Sequence, residues 1–280
     1  TAITDYYHKC LYRHTGALDY LESRSLKKPE VLKRFKVGFA DGSLLSKAAN
    51  GHKEHLKRLG ILRENGREHF TGCITFPILT ITGEALGLYG RSIKDTSRVK
   101  HLYLPGPHKG IFNPRASRVY DQVILTESVI DALSLIACGI ENVQALYGTG
   151  GFTEEHLKTL KADRVAEVIL ALDSDQAGRK AAVDLKEKLL ADGFKVRTIF
   201  PPEEKDWNSE LTEGTLTADT VRALLDEAQL SVPAEPAAGL KVRKQKGVYW
   251  FTIDDITYRL VGVKEIFVSS LRVSIKARCE

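Results

Sequence analysis

Hydrophobic and polar positions change their spacing along the chain, and each change marks a different kind of structure. Over residues 2–22 apolar positions recur at helical spacing, with Leu18 and Leu21 three residues apart. The segment CITFPILTITGEALGLYGRSI instead holds two β-rich runs around the turn TGE, which predicts a hairpin. Beyond residue 120, short apolar strands alternate with helical stretches, which indicates a parallel sheet covered by helices.

Shorter segments complete the first part of the chain. KPEVLKRF predicts a helix with Pro29 near its start, and HKEHLKRLGIL predicts a helix that ends near Gly60. KVGFADGSL reads as a strand that leads into a turn. HLYLPGPHKGIFNP lacks periodicity and is rich in proline and glycine, so we expect a loop there.

The pattern divides the chain into five parts. TADTVRALLDEAQ predicts a closing helix, SVPAEPAAG a linker, and both GVYWFTIDDITYRLVGV and FVSSLRVSIKA predict further strands. The predicted parts are a basic α+β subdomain (1–120), an α/β domain (121–215), a closing helix (216–230), a linker (231–240) and a β-rich segment of unknown role (241–280).

Composition and charge exclude some classes of protein and indicate a class of binding partner. The 280 residues are 43% hydrophobic and 28% charged, and no apolar run approaches the roughly 18 residues that span a bilayer. The four cysteines form no CxxC pair, so we expect a reducing, cytoplasmic location and no membrane partner. Residues 1–120 hold 21 Lys/Arg against 10 Asp/Glu, whereas the remainder holds 20 against 26. A polyanion beside a cation site explains this asymmetry, although an ordinary solvated surface also does.

Carboxylates follow three of the predicted parallel strands. In VILALDSDQAGRKAA, Asp173 and Asp175 come directly after an apolar run, and Glu127 follows the run VILT. Asp131 lies one helical turn beyond Glu127, and Asp206 follows the strand KVRTIF. Ligands of open parallel sheets bind beyond the carboxyl ends of the strands, where these acids would repel one another unless cations neutralised them. Hard oxygen ligands suit Mg²⁺ or Mn²⁺, so the sequence predicts a metal site.

A structural explanation competes for each single acid. Asp175 and Asp131 stand where helix caps or partners of the helix dipole are expected. A lone pair of aspartates on a surface is more often structural than catalytic. Acidic residues follow three predicted strands at the same edge of the sheet, and this agreement favours the metal site.

These motifs resemble a known family. VILTESVIDALSL, VILALDSDQAGRKAA and EKDWN look like a TOPRIM domain, with a glutamate after its first strand and DxD after its third. Upstream, YLESRSLKKPEVLKRFKVGFA, HFTGCITFPILTITGEALGLYGRSI and KHLYLPGPHKGIFNP are similar to the N-terminal part of the bacterial replicative primase catalytic core. The resemblance covers about residues 5–215. It implies a TOPRIM-type parallel sheet flanked by helices and preceded by a basic α+β subdomain. The small β-rich segment that the residue pattern predicts after them matches no part of the family.

The resemblance also assigns roles to the acids. Glu127 matches the catalytic glutamate of the family, and Asp173 and Asp175 match its catalytic, metal-binding DxD pair. Asp131 and Asp206 match accessory metal ligands. Whether Glu127 acts as a base or as a ligand stays open.

Other positions match the family less completely. Asn208 stands where the family often has aspartate, which weakens one ligand. Arg91, Lys100 and Lys109 match basic residues beside template and nucleotide. For Lys109 in particular, surface solubility is an equal explanation.

The implied function is that of a DNA-dependent RNA primase core. It would make short RNA primers on single-stranded DNA from ribonucleoside triphosphates, by nucleotidyl transfer with two Mg²⁺ or Mn²⁺ ions. A helicase or a zinc-binding module outside these residues would be further partners. The alternatives are a TOPRIM nuclease, which would use the same acids, and a non-catalytic nucleic-acid-binding fragment. A DxD glycosyltransferase fits Asp173 and Asp175 but leaves Glu127 and the basic half unexplained.

Overall fold

The fold is given by a computed structural model. It describes residues 2–47, 52–80, 82–94, 99–202 and 205–232, and the backbone of three strands between residues 243 and 260. The chain forms two compact units, Thr1–Pro233 and Ala234–Glu280. Each unit is described by itself.

The first part of the larger unit is a mixed α+β structure. Its helices are α1 (Ala2–Leu11), α2 (Thr15–Ser23), α3 (Pro29–Arg34), α4 (Leu44–Lys47), α5 (Lys53–Arg58) and α6 (Arg115–Val119). Its strands are β1 (Gly38–Ala40), β2 (Cys73–Leu79), β3 (Ala85–Ser92) and β4 (His101–Tyr103), which form an antiparallel sheet in the order β1-β2-β3-β4. The predicted hairpin is β2–β3, with Phe76 opposite Tyr89. Since β1 pairs with only the first three residues of β2, Pro77, which has no N–H to donate, lies beyond that pairing.

Two predictions for this part were wrong. The helix predicted over residues 2–22 is two helices, because His14 turns out of the helical conformation and its Nδ1 accepts the Ala17 N–H at 3.1 Å as the cap of α2. The segment after Lys100 was predicted to be a loop, but it contains β4, which pairs with β3. Pairing across the sheet, and not local periodicity, makes those three residues a strand.

The second part carries the predicted parallel sheet, which is confirmed. Its strands are β5 (Gln122–Thr126), β6 (Val143–Ala145), β7 (Glu167–Ala171) and β8 (Lys195–Thr198), in the order β6-β5-β7-β8. Its helices are α7 (Val129–Ala137), α8 (Glu154–Ala162), α9 (Gln176–Ala191), α10 (Trp207–Glu213) and α11 (Ala218–Glu227). All five residues of the central strand β7 are buried, because helices cover both faces of the sheet.

One hydrophobic core joins the two parts of this unit. Phe112 stacks on Phe35 with ring centroids 5.1 Å apart, and the same core cluster contains Ile124 of β5 and Trp207 of α10. The Trp207 indole Nε1 donates to the Ala171 carbonyl at 2.8 Å, which ties α10 to the end of β7. The antiparallel and parallel sheets are therefore held in a fixed relation, and the boundary at residue 120 stays a sequence prediction.

The smaller unit contains a three-stranded antiparallel sheet. Its strands are β9 (Arg243–Gln245), β10 (Val248–Ile253) and β11 (Ile256–Leu260), in the order β11-β10-β9. The other predicted β segment, FVSSLRVSIKA, and most of the predicted linker lie outside the described residues. Among the helices that the structure describes, none is long and apolar enough to cross a membrane.

The tight junction between β7 and α9 yields a stability prediction. A Cβ added at Gly178 would lie 2.3 Å from the Asp173 carbonyl oxygen, whereas one at Gly150 would meet nothing within 4 Å. We expect Gly178→Ala to lower the free energy of unfolding by about 1–3 kcal/mol, because the backbone after β7 must move. Urea denaturation measures this change, with Gly150→Ala as the control. An equal loss in both variants would contradict the close packing at Gly178.

Candidate active site

The acids predicted from the sequence meet at one edge of the parallel sheet. Glu127 follows β5 directly, and Asp173 lies two residues beyond the end of β7. Asp206 is the N-cap of α10, which follows β8. Asp131, in the first turn of α7, is 4% exposed. Because the strands are parallel, their carboxyl ends bring these side chains to the same edge.

The acids share one electrostatic environment. The pKa of Glu127 is raised to about 7, by burial first and then by the charges of Asp131 and Asp175. Burial also raises the pKa of Asp173, with added contributions from Glu127, Asp206 and Asp175. The pKa of Asp131 is raised by burial and then by Asp173. Each carboxylate thus makes its neighbours harder to ionise.

Three buried carboxylate oxygens have no hydrogen-bond partner within the described part of the chain. They are Glu127 Oε2, Asp131 Oδ1 and Asp173 Oδ1. A buried acceptor left unpaired costs about 1–3 kcal/mol, and more when it is charged. Oxygens of this kind, on acids that repel one another, fit a cation. Across the described residues, however, no three acidic, histidine or cysteine side chains are arranged to hold a metal ion by themselves.

Two of the acids also have the structural role that competed with metal binding. Asp175 caps α9, since its Oδ1 accepts the Gly178 N–H at 2.7 Å. Asp206 caps α10 in the same way, through the Ser209 N–H at 2.7 Å. Each cap uses Oδ1, so capping fixes the carboxyl group and leaves Oδ2 as a further acceptor.

The segment that carries Asp173 is anchored by side chains the sequence analysis missed. Ser174 Oγ donates to the Lys205 carbonyl at 3.0 Å, and Arg179 Nε donates to the Ser174 carbonyl at 2.8 Å. The backbone N–H of Asp173 donates to the Glu127 carboxylate, which lowers the pKa of Glu127. These bonds hold the ends of β5 and β7 in register at the acidic edge.

Asn208 joins the two parts of the larger unit. Its Nδ2 donates to Ser134 Oγ at 2.9 Å and to the Arg24 carbonyl at 3.0 Å, while its Oδ1 accepts Arg24 Nη1 at 3.1 Å. Its backbone N–H donates to Asp131, which also accepts Ser128 Oγ at 2.6 Å. The side chain of Asn208 is therefore used in structural bonds, which the sequence could not show because Arg24 is 184 residues away.

Arg91 is held beside the acidic edge by aromatic side chains. Its Nε donates to Tyr20 Oη at 3.2 Å, and its Nη1 donates to His101 Nε2. The neutral His101 ring then carries its proton on Nδ1 and donates it to Tyr89 Oη at 2.8 Å. Burial raises the pKa of Tyr89, and the charge of Asp131 adds to this rise. Tyr89 is therefore close enough to both Arg91 and Asp131 for each charge to affect its pKa.

Lys109 belongs to a loop that Tyr147 attaches to the acidic edge. Tyr147 Oη lies 2.9 Å from the Lys109 carbonyl and 2.7 Å from the Gly110 carbonyl, to which it donates. Next to Tyr147, the Gly148 N–H donates to the Glu127 carbonyl at 3.1 Å. Lys109 itself is exposed, and Lys100 is half-buried just before β4. The sequence analysis did not single out Tyr147, since a lone tyrosine after a strand carries no motif.

Comparison with known proteins assigns the family. Residues 6–121 match the family model described as DNA primase catalytic core, N-terminal domain, and residues 124–211 match the model described as Toprim-like. The chain belongs to the bacterial DNA primase family. The family and the fold expected from the sequence motifs are thus confirmed.

Individual primases give the extent of the likeness. The DNA primase of Pseudomonas putida is 31% identical over an alignment of 242 residues. The alignment covers 76% of this chain and 36% of that protein. The DNA primase of Deinococcus radiodurans is 28% identical over 242 residues, 78% of this chain and 41% of that protein. The chain therefore spans somewhat more than a third of the length of these primases.

Solved primase structures share the fold. A DNA primase domain from Pseudomonas aeruginosa has a TM-score of 0.71 and 28% identity, covering 82% of this chain and 78% of that chain. A DnaG catalytic core gives a TM-score of 0.71 with 26% identity over the same shares. Primase membership implies a divalent metal, and the unpartnered oxygens at the acidic edge fit one.

The raised pKa values predict how stability depends on pH without metal. A carboxyl group whose pKa is higher in the folded state than in the unfolded state stabilises the fold at a pH below its unfolded-state pKa. This contribution is lost as the pH rises through its folded-state pKa. For Glu127 the loss falls between the ordinary 4.5 and about 7. The matched comparison is the triple variant Glu127→Gln/Asp131→Asn/Asp173→Asn. We expect the free energy of unfolding of the wild type to fall, relative to that of the triple variant, as the pH rises across this interval.

Chemical denaturation in a chelator at several pH values measures this difference. Asp226→Asn, on the exposed face of α11, is the control and should follow the wild type. If the difference in unfolding free energy between the wild type and the triple variant stayed constant across this pH interval, the raised pKa values would be contradicted.

Proposed function

We propose that this chain is the polymerising core of a DNA primase. In this proposal it synthesises short RNA primers on single-stranded DNA from ribonucleoside triphosphates, by metal-dependent nucleotidyl transfer. The observation that carries the proposal is the set of carboxylate oxygens on Glu127, Asp131 and Asp173 that have no partner in the described chain. The name DNA primase of the relatives supports it, although this chain spans only part of their length.

The acidic edge would hold Mg²⁺ or Mn²⁺. We assign Glu127, Asp173 and Asp175 as the main ligands, with Asp131 and Asp206 as accessory ones. Mg²⁺ commonly uses one or two protein carboxylates and completes its shell with water and substrate phosphates, so a separate three-ligand cage is not needed. Two such ions, when bound, would favour deprotonation of an attacking 3′-hydroxyl and would offset the negative charge of the leaving pyrophosphate.

Glu127 has two possible roles, and its surroundings favour one. With a pKa of about 7, it exchanges its proton close to neutral pH in the metal-free chain. A neighbouring cation would keep its carboxylate ionised, because opposite charge favours the charged form. We therefore assign Glu127 as a ligand whose proton leaves when the metal binds.

The cationic side chains would receive the nucleotide. A triphosphate brings several negative charges to an edge that is already acidic, so it needs cations of the protein nearby. We assign Lys100 and Lys109 to the triphosphate, since Tyr147 holds the Lys109 loop next to Glu127. Arg91, fixed by Tyr20 and His101, would contact the same phosphates or the primer strand.

A basic cleft on the antiparallel sheet would hold the template. The cleft has a volume of about 870 Å³, and its lining includes Arg63, Arg67, His69 and Ser92. Arginine contacts to phosphates are sequence-neutral and weaken as salt rises. The cleft belongs to the half of the chain that carries the excess of positive charge.

A primer-synthesis assay tests this function against the nuclease alternative. With single-stranded DNA, ribonucleotides and Mn²⁺, the wild type should produce short labelled RNA. Asp173→Asn should slow synthesis by at least roughly 100-fold, since even residues that support metal ligands contribute 10–100-fold. Lys100→Ala should mainly raise the KM for ribonucleotides.

Asp226→Asn is again the control and should retain full synthesis. If the wild type cut the DNA with metal and made no RNA, the nuclease alternative would replace the primase proposal. If it bound DNA without either reaction, the chain would be a non-catalytic binding fragment.

A further inference from the structure

A second pocket lies outside the candidate active site. It has a volume of about 430 Å³ and is formed by residues near positions 4, 34–36, 77–79, 82–85 and 112–118. None of its lining residues belongs to the acidic edge or to the basic cleft described above. Pockets that bind small molecules commonly measure about 300–1,000 Å³.

The walls of this pocket are largely apolar. Phe35, Pro77, Leu79 and Phe112 all line it. The rings of Phe35 and Phe112 stack on each other with an interplanar angle of 25°, Phe112 is only 2% exposed, and the Arg34 guanidinium lies over the Phe35 ring. A planar ring packs well against apolar side chains and stacks on a guanidinium.

Positive charge surrounds the apolar walls, and no acidic residue lines the pocket. Of its four cations, Arg34 pairs with Glu141, and Lys36 pairs with Asp5. The other two, Arg115 and Arg118, are exposed, lie three positions apart on α6 and form no ion pair or hydrogen bond within the described chain. A guanidinium without an acid partner is the side chain best suited to bind a phosphate.

Asn113 adds a single unused acceptor. Its Nδ2 donates to the Val143 carbonyl at 2.7 Å and to the Glu141 carbonyl at 3.4 Å, which fixes the orientation of the amide. Its Oδ1 has no partner in the described chain, although Asn113 is only 5% exposed. An amide oxygen left unpaired at a pocket wall can accept a hydrogen bond from an amino group.

We propose that this pocket binds a nucleotide, at a site separate from the acidic edge. The base packs against Phe35 and Pro77, Asn113 Oδ1 accepts its exocyclic amino group, and Arg115 and Arg118 bind its phosphate. This assignment uses the apolar walls, the unpaired Asn113 acceptor and the two arginines that have no ion-pair partner in the described chain. It requires no metal, because arginines neutralise the phosphate.

Calorimetric titration in a chelator tests the proposal, since the acidic edge needs metal to bind a nucleotide. AMP, CMP and UMP are titrated into the whole chain, and one site is expected. CMP should bind more tightly than UMP, whose base has no amino group.

The variant Arg115→Glu/Arg118→Glu should bind AMP at least roughly tenfold more weakly, because the substitutions remove two charge-assisted contacts. Lys158→Glu/Arg222→Glu, with the same charge change on exposed helices, should bind AMP like the wild type.

Defined outcomes overturn the proposal. Unchanged AMP affinity in Arg115→Glu/Arg118→Glu, with circular dichroism like the wild type, places the nucleotide elsewhere. Inorganic phosphate that binds as tightly as AMP reduces the pocket to an anion site without base recognition. An acidic peptide ending in phenylalanine that binds here while AMP does not makes the pocket a peptide site. These results leave the primase proposal intact, since that activity depends on metal at the other site.

Discussion

Repulsion among buried carboxylates is the constraint on which the site depends. Glu127 and Asp131, which follow β5, meet Asp173, which follows β7, and all three have raised pKa values, from burial first and from neighbouring acids second. A fold that needed only stability would not keep unpaired charges there, because a buried carboxylate without a partner is costly. The arrangement is explained if cations supply the missing neutralisation, as primase chemistry requires.

The surrounding structure holds these groups together against that repulsion. Backbone donors are directed at the acids, and the Trp207 indole fixes α10 to the end of β7. Asn208 extends this support into the first part of the chain, where its amide binds both the backbone and the guanidinium of Arg24. The basic subdomain therefore carries the excess of positive charge and also stabilises the position of Asp131.

The sequence predicted the parallel sheet and its acids because both depend on local signals. An apolar run followed by DxD identifies a strand end whatever the rest of the chain does, so Asp173 and Asp175 could be placed at a sheet edge. Contacts between distant segments left no such signal. Strand β4 forms only by pairing with β3, and the roles of Tyr147 and Asn208 depend on partners 37 and 184 residues away. The helical cap formed by His14 was missed because histidine is an uncommon cap.

Anomalous diffraction from crystals soaked in Mn²⁺ tests the central claim most directly, because it locates the metal without relying on activity. The account predicts Mn²⁺ within direct bonding distance of Asp173 Oδ1 or Glu127 Oε2, with the remaining coordination completed by water or by nucleotide phosphates. Crystals of Asp173→Asn should lose or weaken that peak. A wild-type crystal with Mn²⁺ bound only at other sites, and with the acidic edge protonated and empty, would contradict the account.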